Sequence, residues 1–217
     1  MAQLTVEKPK AMLSLRGRPM LEHILERLRA ADFSEILAVT GYRAEMIEQH
    51  FAGLQCRRQE ELNGTARAAL LAREFTGGEP FLLTFGDVLT EVEDYRAMAR
   101  RLEGDEAAEA VLAAKWVDDP WQGAAVYEEE GLVKRIVEKP GKGTSATHWN
   151  SAGSYCFRAS IFLELERVPL SPRGEYELTS AVEQLLARGA RVLLHGLGGA
   201  WRDVGRPEDL EAAEGMV

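Results

Sequence analysis

Cysteine is nearly absent: Cys56 and Cys156 are the only two in 217 residues. Placed so far apart, they build neither a disulfide framework nor a zinc site, and a reducing compartment is expected. Long apolar runs are missing as well. None approaches the ~20 residues a membrane helix needs, and no signal peptide precedes Leu4, so a cytoplasmic protein is expected. Cations are in short supply, with 26 Lys and Arg against 35 Asp and Glu, a net charge of −9. No surplus of positive charge exists to displace counterions from nucleic acid or an anionic membrane, so neither partner is expected. A local basic pocket for a phosphorylated small molecule remains compatible with that balance. An obvious nucleophile is lacking too. Neither cysteine has a histidine near it in sequence, and His23, His50, His148 and His195 sit in no motif.

The chain does carry enough apolar residues, 46% against 28% charged, to bury a full core without metal or disulfide staples. Helix and strand patterns trade places through the first half. Leu21, Ile24, Leu25 and Leu28 share one face of a helix opening at Pro19. Short strands are expected at 36–39, 54–58 and 110–114, and helices around 46–51, over 64–75 and over 92–102. Phe81 to Phe85 is an uncharged run that reads as a strand covered on both faces. The second half opens with a hairpin, 124–127 and 132–137, across the acidic turn Glu128-Glu129-Glu130-Gly131. A strand at 154–157, a helix at 178–188 stopped by Gly189, a strand at 191–194 and a helix at 207–214 complete the chain. The fold class expected is α/β: one three-layer domain over 1–217, with a mostly parallel, Rossmann-like sheet and an antiparallel extension in the second half.

Ligands of open α/β sheets bind where strands end. Asp87 follows the run Phe81-Leu82-Leu83-Thr84-Phe85-Gly86, and Asp203 stands in the similar setting Trp201-Arg202-Asp203-Val204-Gly205. Two such carboxylates can share one Mg²⁺, which takes few protein ligands beside water and phosphates. Each alone would serve equally well as a turn or helix cap.

Four segments occur in order along the chain: Gln59 with Gly64-Thr65-Ala66, Gly86-Asp87, Glu138-Lys139-Pro140, and Trp201 to Gly205. With Leu4-Thr5 and Pro9-Lys10 before them, the chain resembles the catalytic domain of the sugar-1-phosphate nucleotidyltransferases from Leu4 to Glu214. The resemblance implies transfer of a nucleotidyl group from an NTP to a sugar 1-phosphate, with Mg²⁺ as cofactor and pyrophosphate released. It implies that Lys10 contacts the nucleotide phosphates and that Asp87 and Asp203 hold the metal, with Lys10 and Asp87 as the catalytic pair. It implies that Gln59 reads the base edge, helped by Gly64, Thr65 and Gly86. The Gln59 amide offers one donor and one acceptor, which suits a pyrimidine and leans the choice to UTP or dTTP. Gly123, Glu138, Lys139, Asn150, Gly153 and Glu177 are implied on the sugar-phosphate side. Assembly into homo-oligomers is left open.

The family's usual opening strand and its glycine-x-glycine-x-arginine loop do not precede Leu4. Either the protein's true start lies upstream of Met1, or this is a homologue that binds nucleotides without catalysis. Retention of every later motif favours the first. Two further departures stand out. Ser151 occupies the place of a sugar-binding asparagine, with Asn150 one residue earlier, and Ser180 replaces a carboxylate after Thr179.

Overall fold

A computed structural model of the protein describes residues 7–217, so Met1, Leu4 and Thr5, which carry part of the resemblance, lie outside them. After a 3-10 turn at Lys10–Met12 come strands β1 (Ser14–Leu15) and β2 (Arg18–Pro19), helix Met20–Ala30, β3 (Leu37–Thr40), helix Ala44–His50 and β4 (Gln55–Arg58). The helix expected over 64–75 is two pieces, Thr65–Leu70 and Arg73–Thr76. Then follow β5 (Phe81–Thr84), β6 (Val88–Thr90), helix Val92–Glu103, β7 (Ala108–Trp116), β8 (Ala124–Glu129), β9 (Leu132–Glu138) and β10 (Trp149–Phe157). Helices Ile161–Arg167 and Leu178–Ala187, β11 (Arg191–Gly196), β12 (Trp201–Asp203) and helix Pro207–Glu214 close the chain.

Two compact units emerge. One takes the chain up to Leu62, Thr84–Arg96 and Gly198–Val217; the other takes Asn63–Leu83 and Ala97–Leu197. In the first, β3 and β4 run parallel, Thr40 opposite Arg58, while β6 and β12 form a short antiparallel ladder. Its helix Met20–Ala30 buries the predicted stripe: Leu21 and Leu25 pack with Ile47, flanked by Met12, Ile36, Phe51 and Leu54. In the second, the sheet order is β5-β10-β7-β11-β9-β8, with β10 also meeting β8.

The sheet is mixed, which corrects the expectation of a mostly parallel one. Among the described pairings with a register, β7–β11 and β3–β4 are parallel and the others antiparallel. The alternation of helix and strand fixes neighbours poorly here. The returning strand β10 inserts beside β7 rather than extending an edge, and so turns the sheet's centre antiparallel. β5, expected to be covered on both faces, is half-buried at each residue and stands at the margin of the described sheet.

The hairpin follows its sequence signal. Glu130 and Gly131 both take positive φ, 53° and 77°, the pair of values a tight two-residue turn between twisted strands requires. Gly189, at φ 84°, closes its helix by donating to the Leu186 carbonyl. Among the described residues, no helix is long and apolar enough to cross a membrane.

One seam in the second unit ties its first loop to the segment 176–178. Tyr176 donates its amide to Asn63 and accepts from Ala66, and the Leu178 amide donates to the Thr65 hydroxyl at 2.9 Å. Gly64 sits inside this seam at φ 126°, where a Cβ would lie 2.3 Å from the Tyr176 carbonyl oxygen and 2.5 Å from its nitrogen. Backbone cannot yield as a side chain can, and that φ is strained for any residue with a Cβ. Gly64→Ala is expected to cost on the order of 1–3 kcal/mol, read as a lowered melting temperature. An unchanged melting temperature would contradict the seam.

Candidate active site

The β6–β12 ladder brings the two sequence-distant aspartates together. Asp203 is the last residue of β12 and stands opposite Val88, whose predecessor is Asp87; the Val204 amide then donates to the Asp87 carbonyl at 2.9 Å. From the other side Lys10, opening the 3-10 turn, donates from Nζ to Asp87 Oδ2 at 2.9 Å. Gly86, before Asp87, leaves open space apart from Ala11, whose Cβ would stand 3.8 Å from an added Cβ.

The electrostatics follow from this crowding. Asp203 has an exposed surface, yet much of the volume around its carboxyl is protein. That desolvation, with the negative charges of Asp87 and Asp209, outweighs Lys10 and pushes Asp203 up to about 6. Burial alone would lower the Lys10 ammonium. Asp87, with Asp203 and Asp209 behind it, more than offsets that and holds it above its ordinary value. The cluster therefore carries more negative charge than one ammonium balances. Asp209 is itself occupied, accepting the amides of Gly205 and Arg206 at 3.1 and 2.8 Å. Among the described residues, no group of three or more His, Cys, Asp or Glu side chains could hold a metal. A pair of hard oxygen donors fits a cation such as Mg²⁺, which completes its shell with water and substrate phosphates.

Gln59 lies in the same unit, just past β4, its amide donating to the Thr40 carbonyl at 2.7 Å. Parallel pairing thus places it at the carboxyl ends of β3 and β4.

The remaining candidates lie in the other unit. Glu138, ending β9, accepts from Arg173 at 3.2 Å and from the Thr179 hydroxyl at 3.1 Å; Arg173 also contacts Glu177 at 2.8 Å. Glu177 is buried, and its charge with that of Glu138 adds to the desolvation that raises the Glu183 carboxyl. Arg173, which bridges the two carboxylates, was not singled out from sequence. Its signal was present: it stands four residues before Glu177 in the turn Ser171-Pro172-Arg173-Gly174.

Gly123 and Asn150 form a second grouping. A Cβ on Gly123 would fall 2.2 Å from Asn150 Oδ1, so only glycine lets that side chain lie there. Asn150 donates to the Ser151 carbonyl, while its Oδ1 is buried with no hydrogen-bond partner. Ser151, at the family's asparagine position, is instead engaged with the Tyr155 hydroxyl at 2.7 Å. Between them β10 slips register against β7, and Gly153 takes φ 74° within that irregularity. Lys139 is exposed at φ 42°, its amide donating to the Gly123 carbonyl at 2.7 Å. Gly64 and Thr65 are committed to the seam with 176–178.

Nucleophilic catalysis finds no support among the thiols. Burial pushes Cys156 up to about 12 and, with Glu48, raises Cys56. His23 is held between Arg18 and the Leu15 carbonyl, and His148 against the carbonyls of Val117 and Asp118.

The nucleotidyl transferase family model matches residues 1–216. The UTP–glucose-1-phosphate uridylyltransferase AglF of Haloferax volcanii is 31% identical over 97% of this chain and 88% of its own length. The low-salt glycan biosynthesis nucleotidyltransferase Agl11 of the same organism is 29% identical over 99% of this chain. The bifunctional protein GlmU of Methanocaldococcus jannaschii is 32% identical over 95% of it. The chain spans 61% of Agl11 and 48% of GlmU. In fold, it is similar to a UDP-glucose pyrophosphorylase solved with UDP-glucose: TM-score 0.84 at 20% identity, covering 96% of this chain and 89% of the other. On the match across essentially its whole length, this chain belongs to the nucleotidyl transferase family.

Proposed function

We propose that the protein transfers a nucleotidyl group from an NTP, UTP or dTTP by preference, to a sugar 1-phosphate. The observation that carries this reading is the grouping of Lys10, Asp87 and Asp203 around one short ladder in a chain of this family. A phosphate oxygen of the sugar 1-phosphate attacks the α-phosphorus. The bond from that phosphorus to the bridging oxygen breaks, and pyrophosphate leaves with the electron pair. Such transfers need positioning and charge neutralisation more than covalent help, which suits a site without a nucleophile.

Asp87 and Asp203 are assigned as holders of Mg²⁺. When bound, that ion supplies positive charge against the phosphates of two anionic reactants. Lys10, half-exposed and kept protonated by its acidic neighbours, follows the charge that grows on the departing pyrophosphate. Gln59 is assigned to the base edge, with Gly64, Thr65 and Gly86 lending backbone contacts. Glu138, Lys139, Glu177, Gly123, Asn150 and Gly153 are assigned to the sugar phosphate. The buried, unpartnered Asn150 Oδ1 supports its part in this, since it offers an acceptor to a hydroxyl. The direct test is a pyrophosphate-release screen of four NTPs against a panel of sugar 1-phosphates. Release with no pair would contradict the reading.

Three outcomes are expected. Turnover requires a divalent cation, and Asp87→Asn and Asp203→Asn each lower it by about a hundredfold or more, the scale of losing one preorganised group at a charged transition state. Near-normal turnover of either variant with Mg²⁺ would remove that residue from the metal site.

The second outcome concerns pH. Asp203 ionises at about 6 in the fold against an ordinary 3.8. Between those values the folded state binds more protons than the unfolded one, so this group's contribution to stability falls as pH rises through that window. Metal-free Asp203→Asn should therefore melt at or above the wild-type temperature at pH 7 while losing activity. A clearly lower melting point would show that ionised Asp203 stabilises the fold.

Third, Gln59→Ala should shift NTP preference or the NTP KM more than the sugar-phosphate KM. A change confined to the sugar phosphate would take the base-reading role from Gln59.

A further inference from the structure

Two buried carboxylates are used by nothing above, Glu164, which is paired with Arg188, and Asp94. Asp94 lies in the first turn of helix Val92–Glu103 and is only 7% exposed. Its Oδ1 accepts the Gly198 amide at 3.3 Å and its Oδ2 the Gly199 amide at 3.2 Å. Both donors sit on the turn that leads into β12 and hence to Asp203.

We infer that Asp94 is a positioning residue for the proposed metal site: it fixes the Gly198–Gly199 turn and thereby the register in which β12 delivers Asp203 beside Asp87. This rests on the reading of Asp203 as a metal ligand.

The argument is geometric. β12 is three residues long and pairs only with the equally short β6 among the described strands. A ladder of that length holds its register weakly, and slipping by one residue would turn Asp203 to the opposite face. The approach to β12 therefore needs an external anchor, and one carboxylate accepting two successive amides supplies it. The turn is also tightly seated. A Cβ on Gly199 would lie 2.5 Å from Glu91 Cγ and 3.0 Å from Asp94 Oδ2. Only glycine lets the backbone come close enough for both amides to reach one carboxyl group. The anchor and Asp87 lie close along the chain, because β6 and the first turn of the helix follow Asp87 directly. Asp94 thus ties the incoming strand to the segment that carries the other carboxylate. Groups that orient ligands without touching the ion commonly change metal affinity by about tenfold to a hundredfold.

The test reads metal binding without turnover. Mn²⁺ is titrated by electron paramagnetic resonance against the full chain with UTP and no sugar phosphate, with metal-free melting curves alongside. Asp94→Asn, which keeps one acceptor but not the charge, and Gly199→Ala, which displaces the turn while keeping Asp94, are each expected to weaken Mn²⁺ binding by about tenfold or more while remaining folded. In turnover assays the same variants should raise the Mg²⁺ requirement and leave the sugar-phosphate KM near wild type. Asp203→Asn serves as the reference. If it loses Mn²⁺ while both turn variants keep wild-type affinity, or weaken it only in proportion to their unfolded fraction, the positioning role is overturned. If Asp203→Asn itself keeps wild-type affinity, the metal reading falls and the inference falls with it. Should Asp94→Asn fail to fold, Gly199→Ala alone decides.

Discussion

Two carboxylates held close by a pairing of three residues against three are the constraint around which this protein's candidate site is organised. Coulomb repulsion alone would separate Asp87 and Asp203. Backbone keeps them together: Asp203 ends β12 opposite Val88, and the next amide bonds back to the Asp87 carbonyl. The cost appears in Asp203, whose carboxyl is pushed up to about 6 by desolvation and by its acidic neighbours. Lys10 relieves part of that cost through its bond to Asp87. What is left is an excess of negative charge at a strand end, an arrangement that favours a small, hard cation.

The sugar-side candidates obey a different logic. There the acids are not left to repel one another. Arg173 spans Glu138 and Glu177, and Thr179 donates to Glu138, so the carboxylates are oriented and largely neutralised by protein. A buried amide oxygen on Asn150, seated where only Gly123 permits, adds an acceptor with no partner of its own. The first grouping leaves negative charge uncompensated, while the second pairs its acids and keeps one amide oxygen as a directed acceptor.

How much of this was legible in sequence depends on the range of the interaction. Local signals held. The stripe Leu21, Ile24, Leu25, Leu28 is buried as its spacing implies, Gly189 ends its helix, and the Glu130-Gly131 turn makes its hairpin. Strand direction did not follow, because whether β10 lies beside β7 is settled by packing across forty residues and leaves no local trace. The β6–β12 ladder is too short to show any period, so the similar strand-end settings of Asp87 and Asp203 suggest a shared cation without showing that the two strands pair. Asp94 read as an ordinary residue in the first turn of a helix, and only the structure reveals the two amides it receives. Arg173 stands four residues before Glu177 in sequence, but its bond to Glu138 depends on a turn that folds it back over both acids.

The central claim is that Asp87 and Asp203 together, and no other acids of the chain, form the cation site. Anomalous diffraction from crystals grown with Mn²⁺ and UTP addresses it directly. The account predicts one strong peak within bonding distance of both carboxylates. A peak on Glu138 and Glu177 instead, or one bound to neither Asp87 nor Asp203, would contradict it.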